Sequence, residues 1–118
     1  MVNKNEPLIM KRICDDDVET LLGVGDKYIF VYFSASWCGP CKQLLPLVEE
    51  LDKRNTDSSL LFYYADIDNN DVLCNSCNVK EVPTYAVIKD MKILGQSHGS
   101  SISTVGDLLK TCVVGVEL

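Results

Sequence analysis

Two cysteines, Cys38 and Cys41, stand where a strand pattern turns into a helix pattern, and that junction constrains the chain more than any other feature. The run before it, Tyr28-Ile-Phe-Val-Tyr-Phe33, is aromatic and β-branched and reads as a buried strand. After it, Leu44, Leu47, Val48 and Leu51 recur at i, i+3, i+4 and i+7, the spacing of one helix face. That helix should reach about Arg54, with a kink at Pro46. Cys38 thus falls at a helix N-terminus, where backbone N–H groups lack internal partners and the macrodipole is positive.

Such a position favours the thiolate, the reactive form in disulfide exchange. A pKa lowered from about 8.5 toward neutrality makes Cys38 the candidate nucleophile. Cys41, a turn deeper in a weaker field and drier surroundings, reads as the resolving thiol, protonated until needed. Pro40 suits the first helical turn, because its φ is already helical and its missing N–H has no partner to lose. Gly39 leaves room for a substrate backbone. The competing reading is a metal site. A zinc ribbon would place its second cysteine pair after about 15–20 residues, whereas 32 residues separate Cys41 from Cys74, so no metal is expected.

With 118 residues, 47% of them hydrophobic, the chain can bury a core without disulfide staples. A polar tail over residues 1–7 and one domain over 8–118 are expected. The formal charge of −6 disfavours nucleic acid and anionic membranes, both of which need a basic face. No apolar run approaches the roughly 18 residues of a membrane span, and the opening residues do not resemble a signal peptide. A cytoplasmic monomer with protein partners is the expectation.

Elsewhere the chain alternates strands and helices, the pattern of an α/β fold with parallel pairing. Leu8–Ile13 is predicted as a short strand, followed by a helix carrying Val18, Leu21 and Leu22, ended by Gly23 and Gly25. The acidic residues Asp15-Asp-Asp17 should cap that helix and complement its dipole rather than form a docking patch. Cys14 reads as a small buried hydrophobe. Leu60–Ala65 is a strand, and Asp71 to about Asn78 a short helix holding a second Cys-x-x-Cys, Cys74 and Cys77. Helical Cβ atoms at i, i+3 lie about 5–6 Å apart, too far for the about 3.5–4.5 Å of a disulfide. Both cysteines are expected to be structural, Cys77, in phase with Leu73, in the core and Cys74 nearer the rim; the alternative is regulatory oxidation or glutathionylation of Cys74. Thr84–Lys89 and Lys92 to about Ser97 form a hairpin around Asp90-Met91. A last helix from Ser101 to Val116 carries Ile102, Val105, Leu109, Cys112 and Val116 on one stripe, with Cys112 in the core. His98, the only histidine, reads as a surface loop residue, which disfavours a Cys–His hydrolase.

The chain resembles the thioredoxin family over nearly its whole length. The likeness rests on Trp37-Cys-Gly-Pro-Cys-Lys42, Pro46, Asp66-Ile-Asp68, Val82-Pro-Thr84, and Gly99 sixteen residues after Pro83. It implies a thioredoxin fold: a central five-stranded mixed sheet of order 1-3-2-4-5 flanked by four helices, with a cis peptide before Pro83 facing the active cysteines. It also implies a protein-disulfide reductase without a cofactor, in which Cys38 attacks a target disulfide and Cys41 releases the reduced target. The Val82 backbone would pair with an extended target segment, and Trp37, Gly39, Pro40, Pro83, Thr84 and Gly99 would border the same groove. Implied partners are a thioredoxin reductase and disulfide-containing proteins such as peroxiredoxins or ribonucleotide reductase.

The chain departs from the family pattern at three places. The family's buried aspartate, six residues before the first cysteine, is replaced by Tyr32, and a lysine on the third strand by Tyr64. A phenol with a pKa of about 10 is a poor base at neutral pH, so slower resolution of mixed disulfides is expected. Met91 also replaces the usual hairpin glycine. These departures favour, as an alternative, a specialised relative with few targets; a third reading is a docking module that binds without turnover.

Overall fold

The computed structural model describes residues 10–23 and 25–118. The expected tail over 1–7 and the first two residues of the expected strand, Leu8 and Ile9, lie outside the described residues. The elements are β1 (Lys11–Arg12), α1 (Val18–Leu22), β2 (Tyr28–Ser34), α2 (Gly39–Arg54), β3 (Leu60–Asp66), α3 (Asp71–Ser76), β4 (Thr84–Lys89), β5 (Lys92–His98) and α4 (Ile102–Cys112). They build one sheet of order β1-β3-β2-β4-β5. β1, β3 and β2 run parallel, whereas β4 and β5 are antiparallel additions.

Central β2 is apolar on both sides because both sides are covered. Its alternating side chains divide between two cores. Phe30 and Tyr32 meet Leu44, Leu45 and Val48 of α2 and Val105 and Leu109 of α4. Ile29, Val31 and Phe33 meet Leu22 of α1 and Leu73 of α3, with Cys77 in the same cluster as expected. On the first face the rings of Tyr32 and Tyr85 stack 6.5 Å apart, and Phe30 and Phe62 lie 5.1 Å apart. Aromatic pairs of this kind contribute about 0.5–1.5 kcal/mol each beyond the area they bury.

Several details differ from the sequence reading. On α2 the buried stripe is Cys41, Leu44, Leu45, Val48 and Leu51, while Leu47 is 48% exposed. Leu45 occupies the place expected of Leu47, because α2 packs into the first core on the flank of its Leu44/Val48 row that carries Leu45, a choice that spacing alone leaves open. As expected, α2 reaches Arg54, with Pro46 inside it. α4 stops at Cys112 rather than Val116: Val113 turns extended, and Gly115 takes φ +74°, outside the helical region. Cys112 is half-buried, packed against the first core. β1 ends at Arg12, although the Ile13 N–H still donates to Tyr64 O at 3.0 Å. The β4–β5 turn has both Asp90 (φ 51°) and Met91 (φ 64°) left-handed. This is the geometry of a primed hairpin turn, which matches strand twist. Met91 carries the strain of a non-glycine residue there; its N–H donates to Leu22 O at 2.8 Å, anchoring the turn to the end of α1.

The acidic triplet caps helices, but not in the way its position suggests. It forms a 3-10 turn whose N-cap is Cys14. Cys14 is half-buried and hydrogen-bonded rather than a buried hydrophobe: the Asp17 carboxylate accepts from its N–H at 3.2 Å and its Sγ–H at 3.1 Å. The Asp15 carboxylate reaches across to α3, accepting from Val72 N–H and Leu73 N–H, both at 3.1 Å. Replacing Asp15 with Ala leaves those donors to water, so a loss of about 1 kcal/mol is expected in urea unfolding. An unchanged midpoint would show that the cap contributes nothing.

Burial also sets the alkaline limit of stability. It pushes the phenols of Tyr32, Tyr63 and Tyr85 up from the ordinary 10.0 and the Cys77 thiol up from 9.0 to about 11. A group whose folded pKa is raised supports folding below its unfolded pKa and loses that support as pH rises through its folded value. The urea midpoint should therefore hold steady up to about pH 9 and fall above it. Urea titrations across this range, with tyrosinate absorbance as a second probe, check the sign; a rising midpoint would contradict it.

Candidate active site

The end of β2 delivers Ser34 and Ala35 beneath the redox turn, and Trp37 leaves it, 67% exposed. Cys38 is the N-cap of α2, with extended backbone (φ −92°, ψ 108°), as the strand-to-helix junction predicts. It is joined to Cys41 by a disulfide whose Cα atoms are 5.3 Å apart. The Cys41 N–H, one of the unpaired donors of the first turn, points at Cys38 Sγ from 3.2 Å. Cys41 is fully buried and Cys38 nearly so. A Cβ placed on Gly39 would touch nothing within 4 Å, so the space beside the turn is open to an approaching chain.

The segment before β4 faces this turn. The Val82–Pro83 peptide is cis, and the Val82 carbonyl oxygen lies 3.7 Å from Cys38 Sγ. The Thr84 hydroxyl donates to Glu81 O at 2.6 Å, so this buried side chain braces the segment. The Gly99 N–H donates to Pro83 O at 3.1 Å, and its φ of +110° explains why glycine stands there. His98 is the last residue of β5 rather than a loop residue, and its Nε2 lies 3.1 Å from Glu81 Oε1 across the same segment.

An open cleft of about 460 Å³ runs along this end, lined chiefly by Trp37, Ile67, Cys74, Val79 and Val82. Ile67 and Cys74 were not among the residues assigned to the groove; both come from the segment after β3, which only the tertiary fold brings beside Trp37. Cys74 and Cys77 remain separate thiols. Burial, and then the carboxylates of Asp15, Asp71 and Asp66, push the Cys74 thiol up. A polar cleft of about 320 Å³ between Lys11, Asp52 and the 55–58 loop lies at the opposite end of α2 and is lined by neither cysteine nor histidine. Among the described residues no group of three His, Cys, Asp or Glu side chains is placed to hold a metal ion.

Tyr32 and Tyr64, two of the departures from the family pattern, are both buried. The Tyr32 hydroxyl donates to Cys41 O at 2.8 Å, and burial raises its phenol well above the ordinary range. Tyr64 packs 6.2 Å from Tyr32 and receives the Arg12 guanidinium 5.0 Å from its ring centre. A further tyrosine, Tyr85, is opposite Tyr32 in the antiparallel register and donates to Gly99 O at 3.0 Å. Its alternation in phase with Val87 puts it on the same face as Val87, but does not say what its hydroxyl reaches.

The family model for thioredoxin matches residues 10–111. The chain belongs to the thioredoxin family. Human thioredoxin is 35% identical over 83 residues, 70% of this chain and 77% of the human protein. Thioredoxin of the sponge Geodia cydonium is 36% identical over 76 residues, 64% of this chain and 70% of that protein. The crystal structure of reduced Schistosoma mansoni thioredoxin pre-protein superposes with a TM-score of 0.75 at 34% identity, covering 88% of this chain and 95% of that one. Thioredoxin of Malassezia sympodialis, at 22% identity and a TM-score of 0.80 over 93% of this chain and 98% of its own, shares the fold. With the Cys38–Cys41 pair in place, membership of the thioredoxin family makes the chain a thiol-disulfide oxidoreductase that reduces protein disulfides with its own dithiol in place of a cofactor. The family implies thioredoxin reductase and disulfide-containing proteins as its partners. No helix among the described residues is long and apolar enough to cross a membrane.

Proposed function

We propose that Cys38 is the attacking sulfur and Cys41 the resolving one, in a single reductase domain over residues 8–118. The Cys38 thiolate attacks one sulfur of a target disulfide, forming a mixed disulfide and releasing the other target sulfur as a thiol. Cys41 then gives up its proton and attacks Cys38 Sγ. This releases the second target thiol and leaves the enzyme as the disulfide, which two electrons from a thioredoxin reductase return to the dithiol. The observation that carries this reading is the setting of Cys38 Sγ between the Cys41 N–H at 3.2 Å and the Val82 carbonyl at 3.7 Å. The first favours the anion; the second belongs to the backbone with which an extended target would pair.

Trp37, Val82, Pro83, Thr84 and Gly99 form the docking site in this reading, with Gly39 and Pro40 tuning the redox turn. Support comes from exposed Trp37, from open space at Gly39 and from the Gly99–Pro83 hydrogen bond. Targets are cytoplasmic disulfide proteins such as peroxiredoxins, met by a monomer. Cys74 is the regulatory thiol, because it is half-exposed and shares the cleft with Trp37. Its raised pKa makes it react more slowly than Cys38. The test is insulin reduction monitored by precipitation, followed by NADPH oxidation with a thioredoxin reductase present. Acceleration of both is expected. A chain that leaves the rate of insulin reduction by dithiothreitol unchanged is no reductase. Iodoacetamide applied to the reduced protein should label Cys38 before Cys74.

A further inference from the structure

Tyr32 and Tyr85 are stacked with their planes 10° apart, and both carry a hydroxyl that ends on a backbone carbonyl at the active end. Tyr32 reaches Cys41 O, in the first turn of α2, at 2.8 Å; Tyr85 reaches Gly99 O, beside Pro83, at 3.0 Å. One stacked pair thus touches both the redox turn and the segment proposed to receive targets. We infer that Tyr32 and Tyr85 are a pair of positioning residues: Tyr32 holds the resolving cysteine in line for disulfide closure, and Tyr85 holds the docking segment.

The Cys41 carbonyl has a lone pair to spare beyond the helix ladder. Nearby, Pro46 lacks the N–H that would bond Lys42 O, so the ladder is weakened just after the redox turn. A buried hydroxyl on Cys41 O fixes the peptide plane that carries the Cys41 Cα, and with it the direction of Cys41 Sγ toward Cys38. On the other side, Gly99 lacks a Cβ and has φ +110°, so its backbone has few restraints of its own. Its N–H is used on Pro83 O and its carbonyl on Tyr85, which ties β5 to the segment before β4. Neither tyrosine moves a proton in this arrangement. Both act through the groups they hold.

This inference rests on the disulfide-reductase reading, and its test separates the two. Tyr32→Phe and Tyr85→Phe keep the stacked rings and remove one hydroxyl each. The closing equilibrium of Cys38 and Cys41, measured against the reduced and oxidised glutathione couple, should fall about three- to tenfold in Tyr32→Phe. Its KM for insulin should stay within about twofold of wild type. Tyr85→Phe should do the reverse: KM raised about three- to tenfold, closure within about twofold of wild type. A purely structural role would lower urea stability in both variants and leave closure and KM where they were; that result overturns the inference, as does a shift of the same parameter in both. Should either variant fail to fold, wild type decides. A slowly exchanging Tyr32 hydroxyl proton coupled to the Cys41 carbonyl carbon in both redox states supports the tether, and rapid exchange with solvent overturns it. A chain that equilibrates with glutathione but reduces no insulin defeats the reductase reading, while the closing equilibrium still decides the role of Tyr32.

Discussion

Cys41→Ser, reduced and mixed with insulin, is expected to stop at a mixed disulfide between Cys38 and one insulin chain that survives non-reducing electrophoresis. Cys38→Ser should form no such adduct and should lose insulin reduction by at least about a thousandfold. The asymmetry follows from where the two sulfurs sit. Cys38 is at the N-cap with a donor 3.2 Å from its sulfur, beside exposed Trp37 and open Gly39. Cys41 is fully buried behind it, out of reach of a macromolecular disulfide but one helical turn from the sulfur it must attack. Removing the buried partner therefore blocks release and not attack. An adduct formed equally well by both variants would reverse the assignment, and one formed by neither would mean that the chain holds targets without covalent exchange. Repeating the trap with candidate proteins, peroxiredoxins first, then identifies physiological targets.

Tyr32→Asp is expected to speed the resolving step at neutral pH by about tenfold while destabilising the fold by about 3 kcal/mol or more. A carboxylate in reach of Cys41 adds a base where the chain now has a phenol that burial keeps protonated. Base catalysis is worth about 10²–10⁴ in rate when geometry is good. Against it stands the lost hydrogen bond to Cys41 O, worth only about three- to tenfold, so the gain should win. The stability cost has two parts: a fully buried ring is lost from between Tyr64 and Tyr85, and a carboxyl is put in its place without a partner. Burial raises that carboxyl's pKa, so the variant's stability should fall as pH rises through it. Stopped-flow reduction of insulin by both proteins, with urea titrations alongside, checks both halves. Equal rates would show that the missing aspartate costs the chain nothing.

These predictions draw on information of two kinds. The redox turn, the helix after it, the order of strands and helices and the family itself were legible along the chain, because each depends on neighbours in sequence. A helix start fixes what its N-cap touches, and alternation fixes which residues of β2 share a face. The same local logic failed wherever a choice depended on a distant partner. Leu45 rather than Leu47 is buried because of how α2 lies on the sheet. Asp15 caps a helix 57 residues further on.

From residues alone came the cysteine pair, the roles we propose for its two sulfurs and the fold that presents them, since a helix terminus and a short cysteine spacing are local physics. Tertiary structure alone decided that Tyr32 spends its hydroxyl on Cys41 O, that Tyr85 reaches Gly99, and that Cys74 shares a cleft with Trp37. Those contacts join different elements of the fold, and a hydroxyl's partner depends on strand register and helix placement, which are set by how the two cores close around the sheet.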